Sequence, residues 1–216
     1  MPLRPDSPVP AVDRVICERR TVKVEAAGDA PTAGVTPRAE IEAVLAVAGL
    51  APFHHVAPRP GEAAEPWRAH LLDAAACRAL RQTALAAGAG GRVPRMLAAA
   101  SALAVVTWMP EGPMARGPRV RFEGTLVNME HVAAGGAFVQ NVLLAATARG
   151  LPTYWSSGGW LATPAGLEAV GARPDELLLG ALFVFPAALA GADVTTPGKH
   201  HARRSPAAAW SRWVEA

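Results

Sequence analysis

The sequence predicts an α+β domain, on three observations. Helical and extended patterns are interspersed along 216 residues, a length that suits one domain with its own core. The stretch 129–149 reads as a long helix that is apolar or small on almost every face, the signature of a helix buried on all sides, at the centre of the fold or of a dimer. The run 177–185 is a continuous apolar strand, as expected for the inside of a sheet.

Composition narrows the function classes. With 51% hydrophobic and 18% charged residues, the chain is neither disordered nor a coiled coil. The longest apolar runs, 97–109 and 177–190, fall short of the ~20 residues of a bilayer-spanning helix. Prolines and an acid in Met1-Pro2-Leu3-Arg4-Pro5-Asp6 interrupt what would have to be a secretory signal, so a cytoplasmic location is expected. Cys17 and Cys77 form no CxxC and read as small buried hydrophobes. The formal charge is +3 and the cations are almost all arginine, with lysine only at Lys23 and Lys199. No basic stretch is interleaved with aromatics, which argues against a nucleic-acid partner.

The elements follow in order. Residues 1–11 form a proline-rich arm. A first helix covers 11–20, with Val12, Val15 and Ile16 on one face, and Thr21-Val22 leads into a polar link through Gly34. Thr36-Pro37 opens a second helix over 37–48, the threonine capping free amides and Gly49 closing it. A loop over 51–66 leads to a strand at 67–72 and a helix at 74–87, which ends in Gly88, Gly90 and Gly91. Residues 94–109 divide into a helix and then a strand at 103–108. The next stretch, 110–128, is rich in proline and glycine and reads as a long excursion. After helix 129–149, Gly150 precedes a short strand at 151–156. Thr163-Pro164 starts a helix to about 170, and strand 177–185 completes the core. The tail 187–216 is polar and aperiodic until 207–214.

Three clusters carry candidate chemistry. Arg19-Arg20-Thr21, with Lys23 two residues on, supplies guanidinium forks and a hydroxyl suited to a phosphate. The same residues are also what a solvated cationic helix end looks like. Ala51-Pro52-Phe53-His54-His55, followed by Glu65-Pro66-Trp67, offers flat rings beside histidine donors, or surface and packing residues. In Thr153-Tyr154-Trp155-Ser156-Ser157-Gly158-Gly159-Trp160, aromatics alternate with hydroxyls, and paired glycines let backbone amides approach a ligand. An ordinary turn with buried tryptophans has the same composition. The histidines His54, His55, His131, His200 and His201 lack the i, i+4 spacing of a helical metal site, so no metal is expected.

The order of these clusters along 12–186 resembles the nitroreductase family of FMN-dependent oxidoreductases. The stretch 130–171, with Ala134-Gly135-Gly136, Gln140-Asn141, Ala145-Ala146, Gly150, Trp155, Ser157-Gly158, Thr163 and Pro164, is most similar to the short bacterial YdjA-like branch. The resemblance implies a central mixed or antiparallel sheet flanked by helices, in a homodimer whose tails, here 187–216, wrap the partner subunit. It implies that Arg19, Arg20 and Thr21, with Lys23 beside them, hold the FMN phosphate and pyrimidine side. Leu50 and His54 would contact the flavin from across the subunit interface, and Trp155, Ser156, Ser157 and Gly158 would lie along the isoalloxazine. Arg203 and Arg204, in the basic tail with Lys199, His200 and His201, would bring a last cation to the phosphate.

The implied activity is NAD(P)H-dependent reduction of a nitroaromatic, quinone or similar small-molecule acceptor, with reductant and acceptor taking turns at the flavin in a ping-pong cycle. FMN would be the bound cofactor and NADH or NADPH the reductant, with no catalytic side chain needed because the flavin carries the hydride. That agrees with the absence of HExxH, GxSxG and GxGxxG patterns. Three features depart from the pattern: Glu65 stands where the family has Asn or Gln, the spacing from His55 to Glu65 is longer, and Ser156 replaces an arginine of the branch. Two other readings remain at this point, a protein that stores FMN without turnover and an alanine-rich helical interaction module without flavin.

Overall fold

The computed structural model describes residues 11–26, 35–56, 63–112, 122–189, 195–197 and 204–214. Residues 1–10, expected as an arm, lie outside them, as do Lys199, His200, His201 and Arg203. The described elements are α1 (Ala11–Glu18), β1 (Val22–Val24), α2 (Arg38–Ala48), β2 (Trp67–Asp73), α3 (Ala74–Ala86), α4 (Val93–Ala99), β3 (Ala102–Trp108), α5 (Leu126–Thr147), β4 (Thr153–Ser156), α6 (Pro164–Ala169), β5 (Leu177–Val184) and β6 (Thr195–Pro197). This is the predicted α+β class.

The main sheet runs in the order β2-β3-β5-β4, and every neighbour pairs antiparallel. β5 therefore sits inside the sheet, as its unbroken apolar sequence requires. Period-two alternation divides its side chains between two cores. Leu182 packs with Val44, Ala48, Trp67, Phe138, Val139 and Val142 under α2 and α5, whereas Phe183 packs with Cys77, Leu80, Met96, Leu97 and Leu103 under α3 and α4. Each such fully buried side chain contributes about 1.5–3 kcal/mol.

Local chemistry sets several boundaries. Asp73 Oδ1 accepts from the Ala76 amide at 2.9 Å and starts α3 directly at the end of β2. Thr163 Oγ1 accepts from the Gly166 amide at 3.1 Å to start α6. α5 begins three residues before the expected 129, because Thr125 Oγ1 caps the Asn128 amide at 3.2 Å. The expected Thr36 cap is not used: Pro37 precedes the first helical residue, and the Thr36 amide donates instead to Ser101 Oγ at 3.2 Å.

The structure corrects four expectations. The link after Arg20 contains strand β1, which pairs antiparallel with β6 in a separate two-stranded sheet. Cys17 is exposed, while Cys77 is fully buried, and burial pushes its thiol up to about 12. Trp67 offers no open ring surface: it is buried, stacks on Phe138 at 5.2 Å and packs at 5.8 Å against the half-buried Phe53. α5 is not covered on all sides within one chain, since Leu126 and Met129 are exposed, as are Val12 and Ile16 of α1 and Val47 at the end of α2.

Candidate functional site

The N-terminal cations reach the sheet through a single backbone link. Thr21 bridges Thr153 in parallel, which seats the end of α1 against the first residue of β4. From there β1 runs beside β4, and Lys23 Nζ lies 5.0 Å from the centre of the Tyr154 ring, a cation–π contact. Arg19 Nη1 approaches Thr21 Oγ1 at 3.4 Å. Arg20 is turned back onto its own helix end, donating to the carbonyls of Cys17 and, at 3.0 Å, Arg19.

Pairing of β1 with β6 carries the tail back to the same corner. Arg204 comes close enough to Arg19 that their charges repel: burial first, then Arg204 and Arg20, lower the pKa of the Arg19 guanidinium. Among the described residues, no carboxylate forms an ion pair with Arg19, Arg20, Lys23 or Arg204. The nearby acid Glu25 is engaged elsewhere, by Arg95 at 2.6 Å and Arg92 at 3.4 Å. Like charges gathered without a counter-charge cost folding free energy, and an anion placed among them recovers it. Thr153 Oγ1, at the bridge, is buried without a hydrogen-bond partner. This donor set fits a phosphate-bearing group such as FMN.

β4 supplies the rest of the corner. Trp155 is 41% exposed and rests against β5, whereas Ser156 is buried with its Oγ accepting from the Gly158 amide at 3.1 Å. Ser156 therefore shapes the turn. Gly158 has φ +103°, and a Cβ there would lie 2.5 Å from Leu178 Cδ2, so only glycine fits. Ser157 is exposed beside it.

Of the sequence candidates, Arg19, Arg20, Thr21, Lys23 and Arg204 gather where β1 meets the start of β4, and Trp155, Ser156, Ser157 and Gly158 follow along β4 and the turn after it. Leu50 and His54 do not join this corner: both are exposed after α2, and among the described residues no hydrogen bond, ion pair or ring contact links them to it. Their neighbour His55 instead meets Glu130 of α5 at 2.6 Å. Among the described residues, no group of three or more His, Cys, Asp or Glu is placed to hold a metal. A cavity of ≈ 230 Å³ beside Thr36, Arg38 and Ser101 includes none of the candidates in its wall.

The sequence places Thr153 in the aromatic-hydroxyl cluster but gives no sign of its pairing with Thr21, and sequence reasoning missed Gly180 of β5, which meets the Nε1 edge of Trp155. A signal for Gly180 existed: a lone glycine inside an apolar strand marks a bulge or a close approach.

No family model and no curated protein matches the sequence. Solved structures do. The chain is similar to a nitroreductase-like family protein of Bacillus cereus, 24% identical, covering 97% of this chain and 99% of that one, with a TM-score of 0.60. It is similar to the FMN-dependent nitroreductase NfnB of Mycobacterium smegmatis, solved in complex with NADPH, at 16% identity, 95% and 98% coverage and a TM-score of 0.62. A nitroreductase of Bacteroides fragilis with bound FMN matches at 17% identity, 82% and 89% coverage and a TM-score of 0.54. The four-stranded antiparallel sheet with its flanking helices is thus the nitroreductase-like fold.

Proposed function

We propose that this chain is an FMN-dependent NAD(P)H oxidoreductase of the nitroreductase type, near the YdjA-like branch, that acts in the cytoplasm on nitroaromatic, quinone or related acceptors. The observation that carries the reading is the cation group Arg19, Arg20 and Arg204, which no described carboxylate pairs, bridged through Thr21 to the strand that presents Trp155. Arg19, Arg204 and the Thr21 hydroxyl hold the phosphate, and Lys23, fixed over Tyr154, adds charge along the same edge. Trp155 offers an apolar ring surface to the isoalloxazine. When bound, FMN supplies reversible hydride acceptance and donation, and the chain binds, orients and excludes water.

The functional unit is proposed to be a homodimer. Exposed Val12, Ile16, Val47, Leu126 and Met129 lie on α1, α2 and α5, and both α1 and α2 contact α5, so one apolar surface is left open to a second copy. Leu50 and His54 would reach the flavin of the partner across it. The extension 187–216 would wrap that partner, presenting Trp210 and Trp213, which are 74% and 96% exposed.

Parallel titrations of the purified protein with FMN and with riboflavin test the reading. Binding of FMN at least about a hundred-fold tighter than riboflavin is expected from two charge-assisted hydrogen bonds to the phosphate. Equal affinity for the two would remove the cation group from the account. Anaerobic NADPH should then bleach the bound flavin, whereas retained colour would mark a storage protein.

A further inference from the structure

β5 is irregular just before the stretch 181–184 that pairs with β4. Val106 pairs with Gly180 and Thr107 with Leu178, so Leu179 is the extra residue of a bulge. Leu179 turns toward α5, where its Cδ2 lies 2.8 Å from the position of a Cβ on Gly135. The next residue, Gly180, lies beneath the indole of Trp155. A Cβ on Gly180 would sit 2.0 Å from Trp155 Nε1, 2.7 Å from its Cδ1 and 3.2 Å from Ser156 O. The register explains the contact: Trp155 is paired with Leu182, and the indole crosses diagonally to the residue two positions earlier on the same face. No side chain at 180 is compatible with this placement. The indole occupies the space of the missing side chain and still leaves Trp155 41% exposed.

We propose that Gly180 is a positioning residue for ligand binding. Its missing side chain, beside the bulge, lets the Nε1 edge of the Trp155 indole seat against β5 and so fixes the ring as a contact for the aromatic ring system bound along β4. The inference rests on the flavin reading and deepens it by naming what fixes the ring surface. Trp155 provides the contact, and Gly180 acts only through it.

A double-mutant cycle tests this. G180A should weaken FMN binding by about ten-fold or more with Trp155 present and by less than about two-fold in the Trp155→Ala background. Equal loss in both backgrounds would overturn the proposal, because Gly180 would then act through the fold at large. The FMN-free protein labelled with 5-fluorotryptophan gives an independent readout. The fluorine resonance of Trp155, identified by its absence in W155F, should shift in G180A, and an unmoved resonance would also overturn the proposal. If that resonance shifts but the wild type binds no FMN, the seat is real and the flavin reading fails, taking the ligand-positioning role with it. Should G180A alone not fold, recovery of the fold in G180A/W155A reports the same clash, and failure to recover refutes it.

Discussion

Thr21 and Thr153 pair in parallel, although the first follows the N-terminal helix and the second opens the edge strand of the main sheet. This bridge turns two local sequence clusters into one corner, with cations on one side and an aromatic strand on the other.

Arg19→Ala should weaken FMN by ~1.5–3 kcal/mol, the scale of a lost hydrogen bond to a charged group. Because Arg19 is disfavoured as a cation by burial and by Arg204, its removal should leave the FMN-free protein as stable as before or more so. Flavin fluorescence titration and thermal denaturation measure the two effects. Unchanged FMN affinity together with lower stability would make Arg19 a structural residue.

Glu176 is buried between His70 on β2 and Thr107 on β3. Its Oε2 accepts from His70 Nε2 at 2.7 Å and from Thr107 Oγ1 at 2.5 Å. Burial pushes its pKa up, but the hydrogen bonds from His70 and Thr107, then the His70 and Arg68 charges, bring the net shift below the usual value. A carboxyl with a lowered folded pKa contributes stability that is present above its unfolded value, about 4.3, and is lost as pH falls through the folded one. The melting temperature should therefore drop below about pH 4, and less steeply in Glu176→Gln. Parallel pH profiles for the two proteins would contradict this.

Asn128 is fully buried and ties the start of α5 to the end of β3. Its Oδ1 accepts from the Glu111 amide at 2.7 Å, and its Nδ2 donates to the carbonyls of Glu111 at 3.0 Å and Glu123 at 2.9 Å. Asn128→Ala should destabilise the fold by about 1–3 kcal/mol, since it removes three hydrogen bonds from half-buried backbone groups. Hydrogen exchange at the Glu111 amide should accelerate in the variant. Unaltered exchange there would mean that water replaces the side chain at no cost.

Gly166 sits in α6, where alanine is normally the better helix former. Here a Cβ would lie 2.3 Å from Trp160 O and 2.7 Å from Leu161 Cα, both backbone atoms. Gly166→Ala should lower stability by about 1–3 kcal/mol, the cost of overpacking. A stabilised variant would show that the preceding turn can move away freely.

Much of the fold is legible in the sequence because its signals are local. Apolar period and flanking breakers mark α2, α3 and β5, while Thr163 and Gly150 punctuate their helices as expected. β1 and β6 escape such reading: three-residue strands carry no period, and their pairing joins opposite ends of the chain. The same long-range closure hides the approach of Arg204 to Arg19, although both appear in the sequence as cations. Cys17 and the apolar residues Val12 and Ile16 of α1 follow the pattern of buried groups yet are exposed, because an apolar pattern marks a face without showing what covers it. Glu176, His70 and Thr107 lie on three separate segments with no spacing to announce them.

The central claim is that this corner takes FMN, and the most direct measurement is the visible absorption spectrum of the purified protein during anaerobic titration with FMN and then NADPH. Saturable uptake of one FMN per chain, a protein-bound flavin band distinct from that of free FMN, and loss of that band on adding NADPH are expected. A folded protein that leaves the spectrum of added FMN unchanged at every concentration would contradict it.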